Sequence, residues 1–136
     1  MNGQQATRSS GTPPQRMGFR LMRRGEIRSV DLSPVRGAEA SKRRPAVIVS
    51  NDGANSTAAR LRRGVVTVVP VTSSVERIYP FQVLLTAAAT GLPRDSKAQA
   101  EQVRSVAVER VGEQIGIVPP AIMLEVDDAL RLHLAL

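Results

Sequence analysis

The eight residues VVTVVPVT, 65–72, leave the chain little conformational choice. Seven of them are β-branched, stiff about χ1 and best accommodated on a pleated strand. They form the clearest strand of the sequence. Pro70 inside the run cannot donate to a ladder, so this part is expected at a sheet edge or a bulge. PAVIVS, 45–50, is a second apolar, β-branched run and reads as a buried strand.

The remaining pattern fits around these two. Ile27, Val30 and Leu32 suggest a strand over 26–32, followed by a polar loop, 33–44, punctuated by Pro34 and Gly37. Asn51-Asp52-Gly53 is a turn signal, and 54–63 suits a loop or a short helix. A strand over 81–86 precedes a loop through Gly91-Leu92-Pro93, and 97–108 reads as one or two strands. Ile115, Ile117 and Val118 suggest a last one. Pro119-Pro120 then opens a helix, where proline is tolerated. On it Ile122, Met123, Val126, Ala129, Leu130 and Leu134 share one face, and Glu125, Asp128 and Arg131 the other. Five or more short strands and one amphipathic C-terminal helix indicate a mainly β, α+β domain: a curled antiparallel sheet or small barrel with a covering helix.

A chain of 136 residues accommodates one such domain. Residues 1–21, rich in Gln, Ser, Thr, Gly and Pro, show no apolar period and are expected to form a disordered extension ahead of a domain at 22–136. With only Phe19, Tyr79 and Phe81 as rings, the core must be aliphatic, and modules that stack bases on aromatic platforms are disfavoured. The formal charge of +7 favours a polyanionic partner. Arg8, Arg16 and Arg20 are the only charges in 1–21, so the domain itself carries +4. Seventeen of the 19 cations are arginine, whose planar fork suits phosphate. The absence of cysteine excludes disulfides and thiolate metal sites and is compatible with the cytoplasm. No apolar run is long enough to span a bilayer, and the N-terminus lacks the apolar segment of a secretory signal.

His133 is the single histidine, so neither a two-histidine acid–base pair nor a His/Cys zinc site can be built from one chain. Asp127 and Asp128 are adjacent in a helix and diverge, a poor metal clamp. No phosphate-binding glycine loop and no GxSxG occurs. Neither a metal nor a cofactor is expected, and any catalysis falls to Arg, Glu, Thr, Ser or Gln. Such residues gather at strand ends. Lys42-Arg43-Arg44 precedes Pro45, which pushes Arg44 toward extended backbone. Thr72-Ser73-Ser74 ends the longest strand, and Glu101-Gln102 falls in the 97–108 strand region. Each alone reads more readily as solvated surface.

Taken in order, these segments resemble the MazF/PemK toxins. The resemblance runs through Arg24-Gly25-Glu26-Ile27 and Val30-Asp31-Leu32-Ser33-Pro34 to Gly37-Ala38-Glu39 and Arg44-Pro45-Ala46-Val47-Ile48-Val49-Ser50. It continues through Val68 to Ser73, Gly91 to Lys97, Ala100-Glu101-Gln102-Val103-Arg104 and the terminal helix, spanning about 23–136. Arg28, where the family often has an aromatic residue, and the first 21 residues depart from the pattern. The resemblance implies the toxin of a toxin–antitoxin pair: a homodimeric SH3-like barrel that cleaves single-stranded RNA at selected sequences. It places the catalytic arginine and threonine on Arg44 and Thr72. RNA-contacting positions fall on Glu39, Ser73, Glu101 and Gln102, and the antitoxin is expected to bring an acidic disordered segment. Toxins resembling CcdB share this barrel and inhibit DNA gyrase by binding it. Their aromatic C-terminal tip is missing here, where the chain has no Trp and ends Leu134-Ala135-Leu136.

Deleting residues 1–21 is expected to leave the melting temperature and the RNA sequences cut unchanged. A large fall in melting temperature would show that the segment packs on the domain.

Overall fold

A computed structural model of the chain describes residues 22–33 and 42–136. Seven strands follow one another: β1 (Glu26–Asp31), β2 (Arg43–Ile48), β3 (Val65–Thr72), β4 (Gln82–Leu85), β5 (Ser96–Gln99), β6 (Arg104–Ala107) and β7 (Val111–Ile117). Helix α1 (Asp52–Leu61) separates β2 from β3, the short α2 (Ala87–Thr90) follows β4, and α3 (Pro120–Leu134) ends the chain. The sheet is antiparallel in the order β4-β5-β3-β2-β1-β7, with β6 on β3 as well. Among the described strands, β4 and β7 at the two ends do not pair with one another. The mainly β sheet with its covering helix is therefore open and not a closed barrel.

β3 is the organising strand. One edge carries β2 in the register Ala46↔Pro70, Val47↔Val69, Ile48↔Val68. The other edge is divided: β6 pairs with Val65–Val68, and β5 with Val71 and Thr72. The proline explains the division. Thr67 turns its carbonyl to Val49 and Ser50, on the β2 side. By alternation Pro70 turns its nitrogen to the opposite edge, at the gap between Arg104 of β6 and Ala98 of β5. No partner strand asks it for a hydrogen bond there. The run is interior to the sheet, with Pro70 at a change of partner.

Strict alternation along β3 supplies two cores. Val69 and Val71 join Ile27, Val47, Leu85 and Ala98 under Met123, Val126 and Ala129 of α3. Val66 and Val68 join Met22, Val30, Ala46, Ile48 and Val108 against Ala58 of α1. Burying a valine side chain contributes roughly 1.5–3 kcal/mol. A strand with four fully buried valines, two toward each core, is thus held from both faces. Arg28, the departure from the family pattern, is 3% exposed on this sheet. Glu26 neutralises it at 2.7 Å, and its Nη1 donates to the Gly112 carbonyl.

The turn expected at Asn51-Asp52-Gly53 is the start of a helix. Asn51 accepts a hydrogen bond from the Ala54 amide and so caps α1. Asn55, fully buried, exchanges bonds with the Ser50 hydroxyl and carbonyl, and the Ser50 hydroxyl in turn accepts from the Thr67 amide. This clip returns the chain to β3. At the other end α3 buries Met123, Val126 and Ala129, as its period requires, while Leu134 stands 49% exposed beyond the covered face.

Gly116 of β7 lets the carbonyl of Thr90, in α2, approach the sheet closely. A Cβ there would stand 2.8 Å from the Thr90 carbonyl oxygen and 3.4 Å from Ile27 and Leu92. Gly116→Ala should destabilise the fold by about 1–3 kcal/mol, read as a lowered midpoint in urea with an unchanged slope.

Candidate active site

Extending the β2–β3 register by two residues sets Arg44 opposite Thr72. Directly opposed residues of an antiparallel pair project from the same face with Cβ atoms about 4.5–5.5 Å apart. A cleft of about 430 Å³ opens over this pair, lined by Lys42, Arg43, Arg44, Pro45, Val71, Thr72, Ser73, Leu92, Pro93, Arg94 and Ser96. Among the described residues four of the lining side chains are cationic and none is acidic. The cleft is formed by the ends of β2 and β3 and by the connection from α2 to β5, and its described lining has the charge to attract an anion.

The two neighbouring arginines differ. The guanidinium of Arg43 donates to the hydroxyl (3.0 Å) and the carbonyl (2.9 Å) of Ser29 on β1. Arg44 is exposed, and among the described residues no hydrogen bond or ion pair engages its guanidinium. Its five donors are therefore available to an incoming phosphate. Thr72 is half-buried, and its hydroxyl oxygen accepts from the Ser74 amide at 3.2 Å, turning the chain sharply after the strand.

The cleft's mouth is held by a neck. The Leu32 amide donates to the Lys42 carbonyl and the Lys42 amide to the Ser33 hydroxyl. Arg110 donates to the carbonyls of Asp31 and Ser33. Ser33, through its hydroxyl and its amide, and then Arg110 and Arg43, hold the Asp31 carboxyl below its ordinary value.

Of the residues expected at the site, Arg44, Thr72 and Ser73 share the cleft. Glu39 lies outside the described residues. Glu101 and Gln102 do not line the cleft and are not on a strand; they form the 3₁₀ turn Ala100–Gln102 between β5 and β6. There Glu101 Oε2 accepts from the Gln82 side chain at 2.8 Å, while its Oε1 is buried with no hydrogen-bond partner among the described residues. Sequence reasoning passed over Lys97. It stands opposite Thr72 in the β3–β5 register, is 8% exposed, and donates from Nζ to the Arg77 carbonyl at 2.6 Å. A lone lysine in a loosely alternating segment carries no signal of such burial. Among the described residues, no three of His, Cys, Asp and Glu converge as a metal site. No described helix is long and apolar enough to cross a membrane.

Known proteins share this sequence pattern and this fold. Residues 23–134 match the family of PemK-like, MazF-like toxins of type II toxin–antitoxin systems. The chain is 62% identical over 116 residues to Endoribonuclease MazF9 of Mycobacterium tuberculosis, covering 85% of this chain and 98% of that one. It is 32% identical over 117 residues to Endoribonuclease MazF of Staphylococcus epidermidis, with 85% and 93% covered. The fold superposes on MazF in a MazE–MazF crystal structure from Deinococcus radiodurans with a TM-score of 0.69 at 28% identity, covering 85% and 97% of the two chains. The chain belongs to the PemK/MazF-like toxins of type II toxin–antitoxin systems. These relatives are named endoribonucleases, which disfavours a gyrase-binding, CcdB-like reading.

Because Asp31 has a depressed pKa, its contribution to stability is present above the ordinary carboxylate value and is lost as the pH falls through the depressed one. Asp31→Asn should lower the melting temperature slightly at neutral pH. The gap between the two proteins should close in acid. A gap that persists at pH 2 would show that the charge is not its origin.

Proposed function

We propose that this toxin is an endoribonuclease that cleaves single-stranded RNA at the Arg44–Thr72 cleft by attack of the RNA's own 2′-hydroxyl. The observation that carries the reading is an unengaged guanidinium and a threonine hydroxyl on one wall of a cleft whose described lining holds four cations and no acid, on strand ends that the extended β2–β3 register sets opposite one another. The attacking 2′-oxygen bonds to the adjacent phosphorus, and the bond from phosphorus to the 5′-oxygen breaks. The products are a 2′,3′-cyclic phosphate and a 5′-hydroxyl. Proximity of the tethered nucleophile can contribute roughly 7–11 kcal/mol when it is aligned. Negative charge develops on the phosphorane oxygens, where fixed donors stabilise it most.

In this scheme Arg44 clamps those oxygens and is the candidate proton donor to the leaving 5′-oxygen. A resting guanidinium already carries its proton, so Arg44 is not the base. Thr72 donates its hydroxyl hydrogen to a phosphate oxygen while its oxygen remains an acceptor for Ser74. Ser73 lines the same rim. Glu101 is bonded to Gln82 away from the cleft lining, so the acceptor of the 2′ proton is sought in Glu39 or a water. Glu101 and Gln102 are assigned to RNA contact beyond the cut. The enzyme acts in the cytoplasm as a two-fold homodimer. A cognate antitoxin inhibits it by folding an acidic, initially disordered segment over the basic cleft.

Removal of one such donor typically costs about 10²–10³-fold in rate. Arg44→Ala should lose at least that much cleavage while its melting temperature stays near wild type, since Arg44 is exposed. A substrate RNA with one 2′-deoxy nucleotide immediately upstream of the cut should resist wild-type enzyme, with or without excess chelator. Efficient cutting of that RNA, or products with 5′-phosphate ends, would overturn the mechanism.

A further inference from the structure

Two of the chain's three aromatic residues meet on the segment that leaves the cleft. Tyr79 and Phe81 stack with ring centroids 5.4 Å apart and planes 3° from parallel. They belong to neither core, and Tyr79 is 41% exposed. We propose that this stacked pair, with the Arg77 guanidinium, is a nucleobase-binding subsite that takes a base of the bound RNA beside the cut. The proposal rests on the RNA-cleaving reading and adds a place for a base to it.

The ring is held in position before any ligand arrives. The Tyr79 amide donates to Gln82 Oε1 at 3.1 Å, and the Gln82 amide donates to the Tyr79 carbonyl at 2.8 Å. Gln82 is itself fixed by its bond to Glu101. Arg77 Nη1 donates to the Tyr79 hydroxyl at 3.2 Å, with its guanidinium carbon 5.6 Å from the ring centre. Lys97 Nζ lies 5.9 Å from the same centre and pins the Arg77 carbonyl. A tyrosine serving only to cover apolar surface needs none of these bonds.

Its placement connects it to the chemistry. Lys97 stands opposite Thr72, so one lysine side chain separates the catalytic threonine's strand position from the Tyr79 ring. A strand of RNA whose phosphate sits on Arg44 and Thr72 has to leave the cleft, and the Ser73 rim leads onto this segment. Bases stack on aromatic faces and on guanidinium planes, and the two cations attract the backbone between them. Every base has a π-face, so the subsite should add affinity with little sequence preference. The effect belongs on KM and not on the rate at saturation.

Tyr79 is the only tyrosine and there is no tryptophan, so intrinsic emission reports this ring alone. The full chain is titrated with a dye-labelled, uncleavable 2′-O-methyl version of a mapped substrate, and dye anisotropy measures binding independently. Tyrosine emission should be quenched along the same binding curve. Tyr79→Leu should weaken binding roughly 5- to 100-fold, raise KM correspondingly and leave cleavage at saturating RNA unchanged. Tyr79→Phe should stay within about twofold of wild type, since it keeps the stacking face. An abasic substitution at one nucleotide should weaken the wild type and have no further effect on Tyr79→Leu. Binding by anisotropy with unmoved tyrosine emission would overturn the subsite and leave the nuclease intact. Absence of both binding and cleavage with any RNA would overturn the nuclease reading and the subsite together.

Discussion

The pairing of β2 with β3 is the constraint on which the rest depends. Because side chains alternate with a period of two, a slip of one residue would move every side chain of one strand to the other face. Val69 and Val71 would then leave the core under α3, and Val66 and Val68 the core beside α1. The same slip would separate Arg44 from Thr72. Stability and the alignment of Arg44 with Thr72 therefore depend on one set of backbone hydrogen bonds. The two valine faces lock the register, and the polar ends of the strands inherit their alignment from it.

Much of this was legible because β-branched runs and alternation are local signals. VVTVVPVT gave its boundaries directly, and the apolar period of the last helix named Met123, Val126 and Ala129 as buried. Arg44 and Thr72 were legible as residue types at strand ends, but their opposition is a property of register, which no single segment contains. Other features stayed hidden for the same reason. Asn51-Asp52-Gly53 has the composition of a turn and of a helix start alike, and the Ser50–Asn55 clip across to Thr67 decides between them. Glu101 leaves the strand pattern in a 3₁₀ turn, where its carboxylate meets Gln82, 19 residues away, a contact that no local segment contains. Scarcity of aromatic residues argued against stacking platforms. That inference weighs number; the two rings on either side of Pro80 stack on one another, a geometry that composition does not contain.

Two buried cations divide their work. Arg28 is neutralised inside the sheet by Glu26, two residues away on the same strand face, a pairing that requires no other element to move. Lys97 has no carboxylate in its hydrogen bond; it takes a backbone carbonyl and an aromatic face instead. A buried ammonium so placed is costly unless those partners stay where they are. Its burial thus ties the segment after β3 to β5, next to the residue on which the proposed chemistry turns.

The neck formed by Leu32, Ser33 and Lys42 has a consequence for how such toxins can diversify. The segment between 33 and 42 enters and leaves through bonds that close on themselves, braced by Arg110. Adding or replacing residues beyond a closed neck costs only slowly growing loop entropy, and such a change need not be transmitted to the strands. Arg44 lies two residues inside that boundary. Changes of length or sequence between 34 and 41 therefore need not disturb the register that sets Arg44 opposite Thr72. The strands can stay fixed while the chain between the two ends of the neck varies.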